Sequence, residues 1–205
     1  MKLTEYEREL LDGKHGEAVR MAMRVLCDLG DYYGTEDFVE ITACHDDSTV
    51  YFGEAQVAFA EHLAGLGAKF AVPTTTNACA LDMQRWDLQK QDAACMAATR
   101  RIEASHLRMG AIPIWTCAPY QTGFSPAFGA QVACAESNVI CFMNSIVGAR
   151  TNRYAGPLEL LCGIAGRAPN FGLHKTENRY AEGLVVLSDE ITEEMFDDPS
   201  MFSYV

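Results

Sequence analysis

The chain has 205 residues, 49% of them hydrophobic and 21% charged, which is enough for one sizeable core. Its formal net charge of -12 argues against nucleic acid as a partner, because nucleic-acid binding depends on Lys and Arg side chains that neutralise phosphates. The sequence contains no run of about 18 apolar residues, and its N-terminus is too charged for a signal peptide. We therefore predict a cytoplasmic protein with no membrane partner.

Eight cysteines are distributed along the chain, and none of them forms a C-x-x-C pair. A zinc ribbon or a compact cluster motif is therefore not indicated. Several cysteines lie in apolar helical runs, where a free thiol behaves as a small buried hydrophobe. We expect that role for most of them, and we expect no disulfides in a cytoplasmic chain.

The first 35 residues predict a helical lead-in. Thr4 and Glu7 have the spacing of a capping box, so a short helix is expected to begin there and to end near Gly13. Apolar residues at helical spacing predict a second helix over 16–30. Neither helix carries residues that indicate chemistry.

A β-loop-α-β unit follows. The sequence predicts a strand over 38–43, a helix over 54–66 and a strand over 69–72, which would be parallel neighbours in one sheet. Polar residues follow each strand, in loops 44–49 and 73–77. Because parallel strands end at the same edge of a sheet, both loops are expected to open on one side of the molecule.

The rest of the chain continues the alternation of helices and strands. The predicted elements are a helix over 88–110, a strand over 111–116, a buried helix over 139–147 closed by Gly148, a buried helix over 158–164 and a peripheral strand over 184–188. We predict an α/β fold with a mostly parallel sheet and helices on both faces. Residues 36–188 would form this α/β core, and residues 189–205 would form an exposed acidic tail.

The stretch 114–153 carries uncharged polar chemistry within an apolar run. Cys117 directly follows the predicted strand 111–116, at a strand end where α/β proteins bind ligands. Ser137 or Asn138 can cap the helix that follows, and the positive end of that helix can also seat a carboxylate or phosphate. Both interpretations stay open. We expect loops 44–49, 73–77 and 117–120 to converge with Glu136 and Ser137 on one cleft.

Five sequence motifs carry a family resemblance. TCAPY, AESN, NSIVGARTNR, GRAPNFGLH and ENR, in this order, resemble the large-subunit catalytic region of aconitase X, a branch of the aconitase superfamily. The resemblance extends over essentially the whole chain, as far as Val185. It implies a three-layer aconitase-like fold and a hydro-lyase that uses an iron-sulfur cluster to dehydrate a small hydroxy acid.

The resemblance also implies roles for individual residues. The expected catalytic residues are His45, Glu136 and Ser137; the expected substrate-binding residues are Asp47, Ser48, Thr49, Asn77, Asn138, Asn144 and Arg150; and the expected cluster ligand is Cys117. A [4Fe–4S] or [2Fe–2S] cluster needs about three or four protein ligands. Only one is evident here, so the cluster is expected to be incomplete or absent in this chain alone.

Family large subunits are about twice this length, which implies an N-terminal portion. Further cluster ligands and a catalytic lysine or arginine are expected beyond Val205, together with a swivelling small subunit or domain. The family acts on cis-3-hydroxy-L-proline or on mevalonate 5-phosphate, and we favour the hydroxyproline. The alternatives are the large-subunit portion of a mevalonate 5-phosphate dehydratase, a non-catalytic scaffold of the same fold, and an anion-binding domain.

Overall fold

The computed structural model describes residues 1–79, 81–82, 85–88, 90, 92–184, 186 and 192. Within this part of the chain, no helix has both the length and the apolar character needed to cross a lipid bilayer. All eight cysteines lie among the described residues, and each is a free thiol.

Six α-helices are described. Their bounds are α1 Glu5–Leu11, α2 Glu17–Tyr32, α3 Glu54–Gly65, α4 Ala93–Met109, α5 Ser137–Phe142 and α6 Gly156–Ala165. The predicted capping box is confirmed, because the Thr4 hydroxyl accepts the Glu7 N–H while the Glu7 carboxylate accepts the Thr4 N–H. Gly166 ends α6 in the left-handed conformation, as glycine readily does after a helix.

The central sheet has three parallel strands in the order β3-β2-β4. These strands are β2 Ala43–Asp46, β3 Thr74–Thr76 and β4 Val132–Cys134. A separate antiparallel pair joins β1 Phe38–Glu40 to β5 Arg167–Pro169. The α/β class and the parallel sheet are confirmed, although the sheet is smaller than the sequence predicted.

The predicted strand 38–43 is two strands in the structure. Residues of β1 pair with β5, and the chain then changes partners: the Ile41 N–H bonds to Gly166 O, and the Thr42 N–H bonds to Gln131 O. Only from Ala43 onward does the chain join the parallel sheet. His45 and Asp46 therefore lie on a strand, not in the loop that the sequence predicted.

Two other strand predictions were wrong in position. Residues 69–72 form no strand, because the N–H groups of Phe70 and Ala71 bond to the C-terminal turns of α4 and α6, at Met109 O and Gly163 O. The strand lies at Thr74–Thr76, inside the predicted loop 73–77. The predicted strand 111–116 is reduced to a single parallel bridge between Ile112 and Thr75. Strand β4 was missed.

The C-terminal predictions fall largely outside the described residues. Of the predicted strand 184–188, Leu184 and Val186 are described, and both are exposed and lie in no strand. Of the predicted tail 189–205, only residue 192 is described. The boundaries of the helical lead-in, the α/β core and the tail remain predictions.

Helix α6 packs closely against the strands. A Cβ atom added at Gly163 would lie 3.0 Å from the Phe70 ring and 3.2 Å from the Thr74 hydroxyl. Glycine at this position therefore permits the close packing. The main core contains Leu160 and Ile164 from α6 and Leu26 from α2.

Helix α5 differs from its prediction at both ends. Glu136 is the N-cap and makes no side-chain capping bond, so Ser137 and Asn138 do not cap the helix. A π-helical turn over Met143–Val147 follows, and Gly148 closes it with φ 72°, as predicted. The predicted helix 139–147 is apolar but is not buried on every face, since Ile146 is 70% exposed.

His174 bridges two segments near the end of the described fold. Its Nε2 lies 2.6 Å from the Tyr154 hydroxyl, and its Nδ1 lies 2.6 Å from Gln131 Oε1. Burial, and then the charges of Arg179 and Arg150, lower the pKa of His174 to about 4. The imidazole is therefore neutral in the folded state at pH 7.

A pH-dependent loss of stability follows from this histidine. In the unfolded chain, His174 is protonated near pH 6.5, whereas in the folded chain it is protonated only near pH 4. The folded state therefore loses stability relative to the unfolded state as the pH falls from 6.5 to 4. Glutamine cannot be protonated. The free energy of unfolding of the wild type should therefore fall by about 2–3 kcal/mol relative to His174→Gln between pH 6.5 and 4. Denaturant titrations at several pH values measure this difference, and a constant difference would contradict the assignment.

Candidate active site

Polar side chains gather where the parallel strands end. Strand β2 carries His45 and leads into Asp47, and β3 leads into Asn77. Glu136 follows β4 directly at the start of α5. The predicted convergence of the strand-end loops holds for these residues, because contacts link them to one another and to Cys117.

His45 is fully buried in the floor of this cleft. Its Nδ1 lies 2.9 Å from the Thr75 hydroxyl, and its Nε2 lies 3.7 Å from Glu136 Oε2. Burial lowers the pKa of His45 to about 4, against the smaller opposite effect of the Asp46 charge. The imidazole is therefore neutral at pH 7, with one nitrogen that can donate and one that can accept a proton.

Glu136 occupies the centre of the cleft. Its side chain is 19% exposed, and its Oε2 atom has no hydrogen-bond partner within the described part of the chain. Burial raises the pKa of Glu136, the neighbouring Asp47 charge adds to the rise, and hydrogen bonds from the side chains of Cys117 and Asn77 oppose it. A carboxyl group in this environment can exchange a proton with a bound molecule.

Asp47 and Asn77 form a second polar pair beside Glu136. The Asn77 amide donates a hydrogen bond to Asp47 Oδ1, and Asn77 Oδ1 accepts the Ala78 N–H at 2.6 Å. Burial and the charge of Asp46 raise the pKa of Asp47. Asn77 is only 3% exposed, so its orientation is set by the protein before any ligand binds.

Cys117 reaches the same cleft from the segment after Ile112. Its thiol lies beside the Glu136 carboxyl, and its carbonyl accepts the Asn138 amide at 2.6 Å. Burial raises the pKa of Cys117, and the hydrogen bond and charge of Glu136 raise it further, whereas the Ala78 N–H lowers it. This sulfur is exposed, unlike those of Cys44, Cys134 and Cys162.

The described residues alone do not make a complete metal centre. Within that part of the chain, no three His, Cys, Asp or Glu side chains are grouped so that they could hold a metal ion. Cys117 offers one sulfur, whereas a cluster needs about three or four ligands. The donor set therefore fits one ligand of a cluster and not a whole site.

Four other predicted site residues lie at the edge of this cleft or outside it. Ser137 is exposed and lines a cavity of about 520 Å³ together with Arg153. Asn138 reaches the cleft only through the carbonyl of Cys117. Asn144 and Arg150 are used inside the fold. The Asn144 side chain donates to Ile140 O and Thr151 O, and its oxygen accepts from Thr151 N–H and Arg179. The Arg150 guanidinium donates to His174 O and to the Thr176 hydroxyl.

Ser48 and Thr49 support the loop after β2. The Ser48 hydroxyl donates to Gly156 O, and the Thr49 hydroxyl, fully buried, lies 3.1 Å from Asn77 O. Both hydroxyls are bound to the backbone of neighbouring segments. Among the predicted site residues, the structure therefore brings His45, Asp47, Asn77, Cys117 and Glu136 together.

The sequence reasoning missed three residues next to this cleft. Thr75 holds the His45 ring, while His106 and Glu159 lie buried behind the loop after β2. A signal for Glu159 existed, because it is the only charged residue in the apolar helix GPLELLCGIA. His106 had no comparable signal, since it lies in a mixed polar stretch of α4.

Comparison with known proteins shows the family of this chain. A family profile described as the aconitase X first domain matches residues 1–177. The chain belongs to the aconitase X family. The crystal structure of aconitase X from Thermococcus kodakaraensis in its holo-form superposes with a TM-score of 0.80 at 36% identity, covering 88% of this chain and 45% of that one.

Curated members of the family extend the comparison. The chain is 41% identical over 188 residues to the cis-3-hydroxy-L-proline dehydratase of Pseudomonas aeruginosa, covering 92% of this chain and 32% of that protein. It is 36% identical over 181 residues to the phosphomevalonate dehydratase large subunit of Methanothermobacter thermautotrophicus, and the match covers 87% of this chain and 45% of that subunit. The chain thus spans about a third to a half of the length of these relatives.

Proposed function

We propose that this chain is the first domain of a hydro-lyase that removes water from a small hydroxy acid, with cis-3-hydroxy-L-proline as the favoured substrate. The observation that carries the proposal is the meeting of His45, Asn77, Cys117 and Glu136 in one cleft of an aconitase X chain. The 41% identity to the Pseudomonas aeruginosa dehydratase supports the choice of substrate.

The cleft residues have distinct roles in this reaction. Glu136 takes the proton from the carbon next to the substrate carboxylate, because its Oε2 atom is buried without a partner and faces the cleft. The Nε2 atom of neutral His45 lies 3.7 Å from that oxygen, where it stabilises the Glu136 side chain as the carboxyl gains the proton. Asn77, held by Asp47, offers a preset amide to the substrate.

The hydroxyl group of the substrate leaves as hydroxide, and the proton that Glu136 took from carbon is then released, so that one water is lost overall. A bound iron-sulfur cluster would supply a Lewis acid that makes this oxygen a better leaving group. Cys117 is the residue of this chain that would hold the cluster, and the remaining ligands would come from the rest of the complete protein. The family and the exposed sulfur beside Glu136 support this assignment.

A second polypeptide or domain completes the site in this proposal. Relatives named as large subunits support a small-subunit partner, and they span about twice the length of this chain. Eight free thiols support a cytoplasmic location, where cysteines stay reduced. The scaffold alternative is less well supported, because a scaffold has no use for an unpartnered buried carboxylate oxygen at Glu136.

Mevalonate 5-phosphate is the second candidate substrate. Several phosphomevalonate dehydratase large subunits are 32–36% identical to this chain. These identities are lower than the 41% to the hydroxyproline dehydratase, so mevalonate 5-phosphate is the less favoured substrate. The experiment is to purify the complete protein with its partner anaerobically and offer each substrate separately. Mass spectrometry should show loss of one water from cis-3-hydroxy-L-proline. Turnover of mevalonate 5-phosphate alone would reverse the choice, and turnover of neither would overturn the proposed function.

A further inference from the structure

Three buried ionisable side chains lie directly behind the loop that carries Asp47. Asp46 ends β2, His106 lies in the last turn of α4, and Glu159 lies in α6, and all three are 0% exposed. None of them faces the substrate cleft by a described contact. Burying three ionisable groups is costly unless they are paired or neutralised, so their arrangement calls for a role.

Asp46 and His106 form a buried ion pair. His106 Nε2 lies 3.0 Å from Asp46 Oδ2, and His106 Nδ1 lies 2.8 Å from Ile102 O. Burial alone would lower the pKa of His106, but the Asp46 charge and hydrogen bond raise it overall. Burial likewise opposes the ionisation of Asp46, yet His106 keeps the pKa of Asp46 below its ordinary value. Each member of the pair therefore favours the charged form of the other.

Glu159 is the third member of the cluster. Burial, and then the charge of Asp46, hold the pKa of Glu159 well above its ordinary range. Its Oε1 accepts the Asp47 N–H at 2.9 Å and lies 3.3 Å from the Ser48 hydroxyl. The other titratable groups facing the cluster are Asp47 and the thiols of Cys44, Cys134 and Cys162, whose pKa values burial raises.

Two successive backbone N–H groups of the loop donate hydrogen bonds to side chains of this cluster. Asp47 N–H bonds to Glu159, and Ser48 N–H bonds to Asp46 Oδ1 at 2.8 Å. The side chain of the same residue, Asp47, accepts the Asn77 amide. The direction of the Asp47 carboxylate, and through it of Asn77, is therefore fixed from behind.

We infer that Asp46, His106 and Glu159 are positioning residues that orient the Asp47–Asn77 pair for substrate, with Glu159 acting as the acceptor of the Asp47 N–H. The link to substrate rests on the proposed function, whereas the link to the loop rests on contacts alone. His106 acts through Asp46, because it holds the carboxylate whose other oxygen receives the Ser48 N–H.

The test compares two replacements of Glu159 by amide hydrogen exchange in this chain. Glutamine keeps an acceptor oxygen and has the shape of a protonated glutamate, so Glu159→Gln should leave exchange at Asp47 and Ser48 within about threefold of the wild type. Glu159→Ala removes the acceptor and should speed exchange at Asp47 by about tenfold, as expected for one lost buried hydrogen bond. Exchange at Met23 in α2 should not change.

A second pair of variants covers the case in which Glu159→Ala does not fold. His106→Gln should speed exchange at Ser48, whereas His62→Gln on the exposed face of α3 should not. In the complete protein, Glu159→Ala should lower kcat/KM for the hydroxy acid, and Glu159→Gln should restore it. Unchanged exchange at both amides in Glu159→Ala and in His106→Gln would overturn the positioning role even if the wild type is active. An inactive wild type with the expected exchange pattern would overturn the proposed function only.

Discussion

Replacing Cys117 with serine in the complete protein is expected to lower its iron content and to reduce dehydratase turnover by at least about 100-fold. The physical reason is the place of the sulfur. It is exposed and lies beside Glu136, whereas Cys44, Cys134 and Cys162 are buried packing groups. A serine oxygen binds iron of a cluster far more weakly than a thiolate.

The control for this prediction is Cys141→Ser, which changes the other exposed cysteine, on α5. Both variants are purified anaerobically and compared by iron analysis, cluster absorbance and turnover. The control should match the wild type in all three. A Cys117→Ser protein with normal iron content and a wild-type rate would make Cys117 a packing residue and remove it from the site.

Glu136→Gln is expected to reduce turnover by about 10²–10⁴-fold, the range for the loss of a general base. Glutamine keeps the size of the side chain and one acceptor oxygen beside Cys117 and Asn77, so the cleft should keep its shape. It cannot accept a proton. The fall should therefore appear in kcat with little change in KM.

Glu5→Gln, on the exposed side of α1, is the matched control and should leave both constants unchanged. Steady-state kinetics of the complete protein measure the effect. A fall in kcat of less than about threefold in Glu136→Gln would mean that another group takes the proton, since general-base catalysis contributes far more than that. His45 would then be the first group to test, as it stands 3.7 Å away.

The helices were predictable because their signals are local. The Thr4–Glu7 capping box, the apolar run of α6 and the glycine at 148 each specify an end or a face within a few residues. The strands were harder. Each has three or four residues, and its position depends on distant partners, as when the chain leaves β5 at Glu40 and joins β4 at Ala43.

The cleft was partly predictable for the same reason. Residues that follow parallel strands meet at one edge, so Asp47 and Asn77 could be expected together from sequence position alone. Glu136 could not be placed with them on this ground, because the sequence did not predict β4, the strand that it follows. Asn144 and Arg150 could not be separated from them, because their bonds to Thr151, Arg179 and His174 depend on tertiary structure. The ion pair of Asp46 with His106 could not be predicted from the sequence either, since the two residues are 60 positions apart.

The most direct test of the central claim is a crystal structure of the complete protein with cis-3-hydroxy-L-proline bound. We expect the substrate carboxylate within hydrogen-bond distance of the Asn77 amide, with a Glu136 oxygen facing the hydrogen on the adjacent carbon and Cys117 bound to iron. The cavity lined by Ser137 and Arg153 should be free of substrate. Substrate held in that cavity, with the Glu136 cleft unused, would contradict the account.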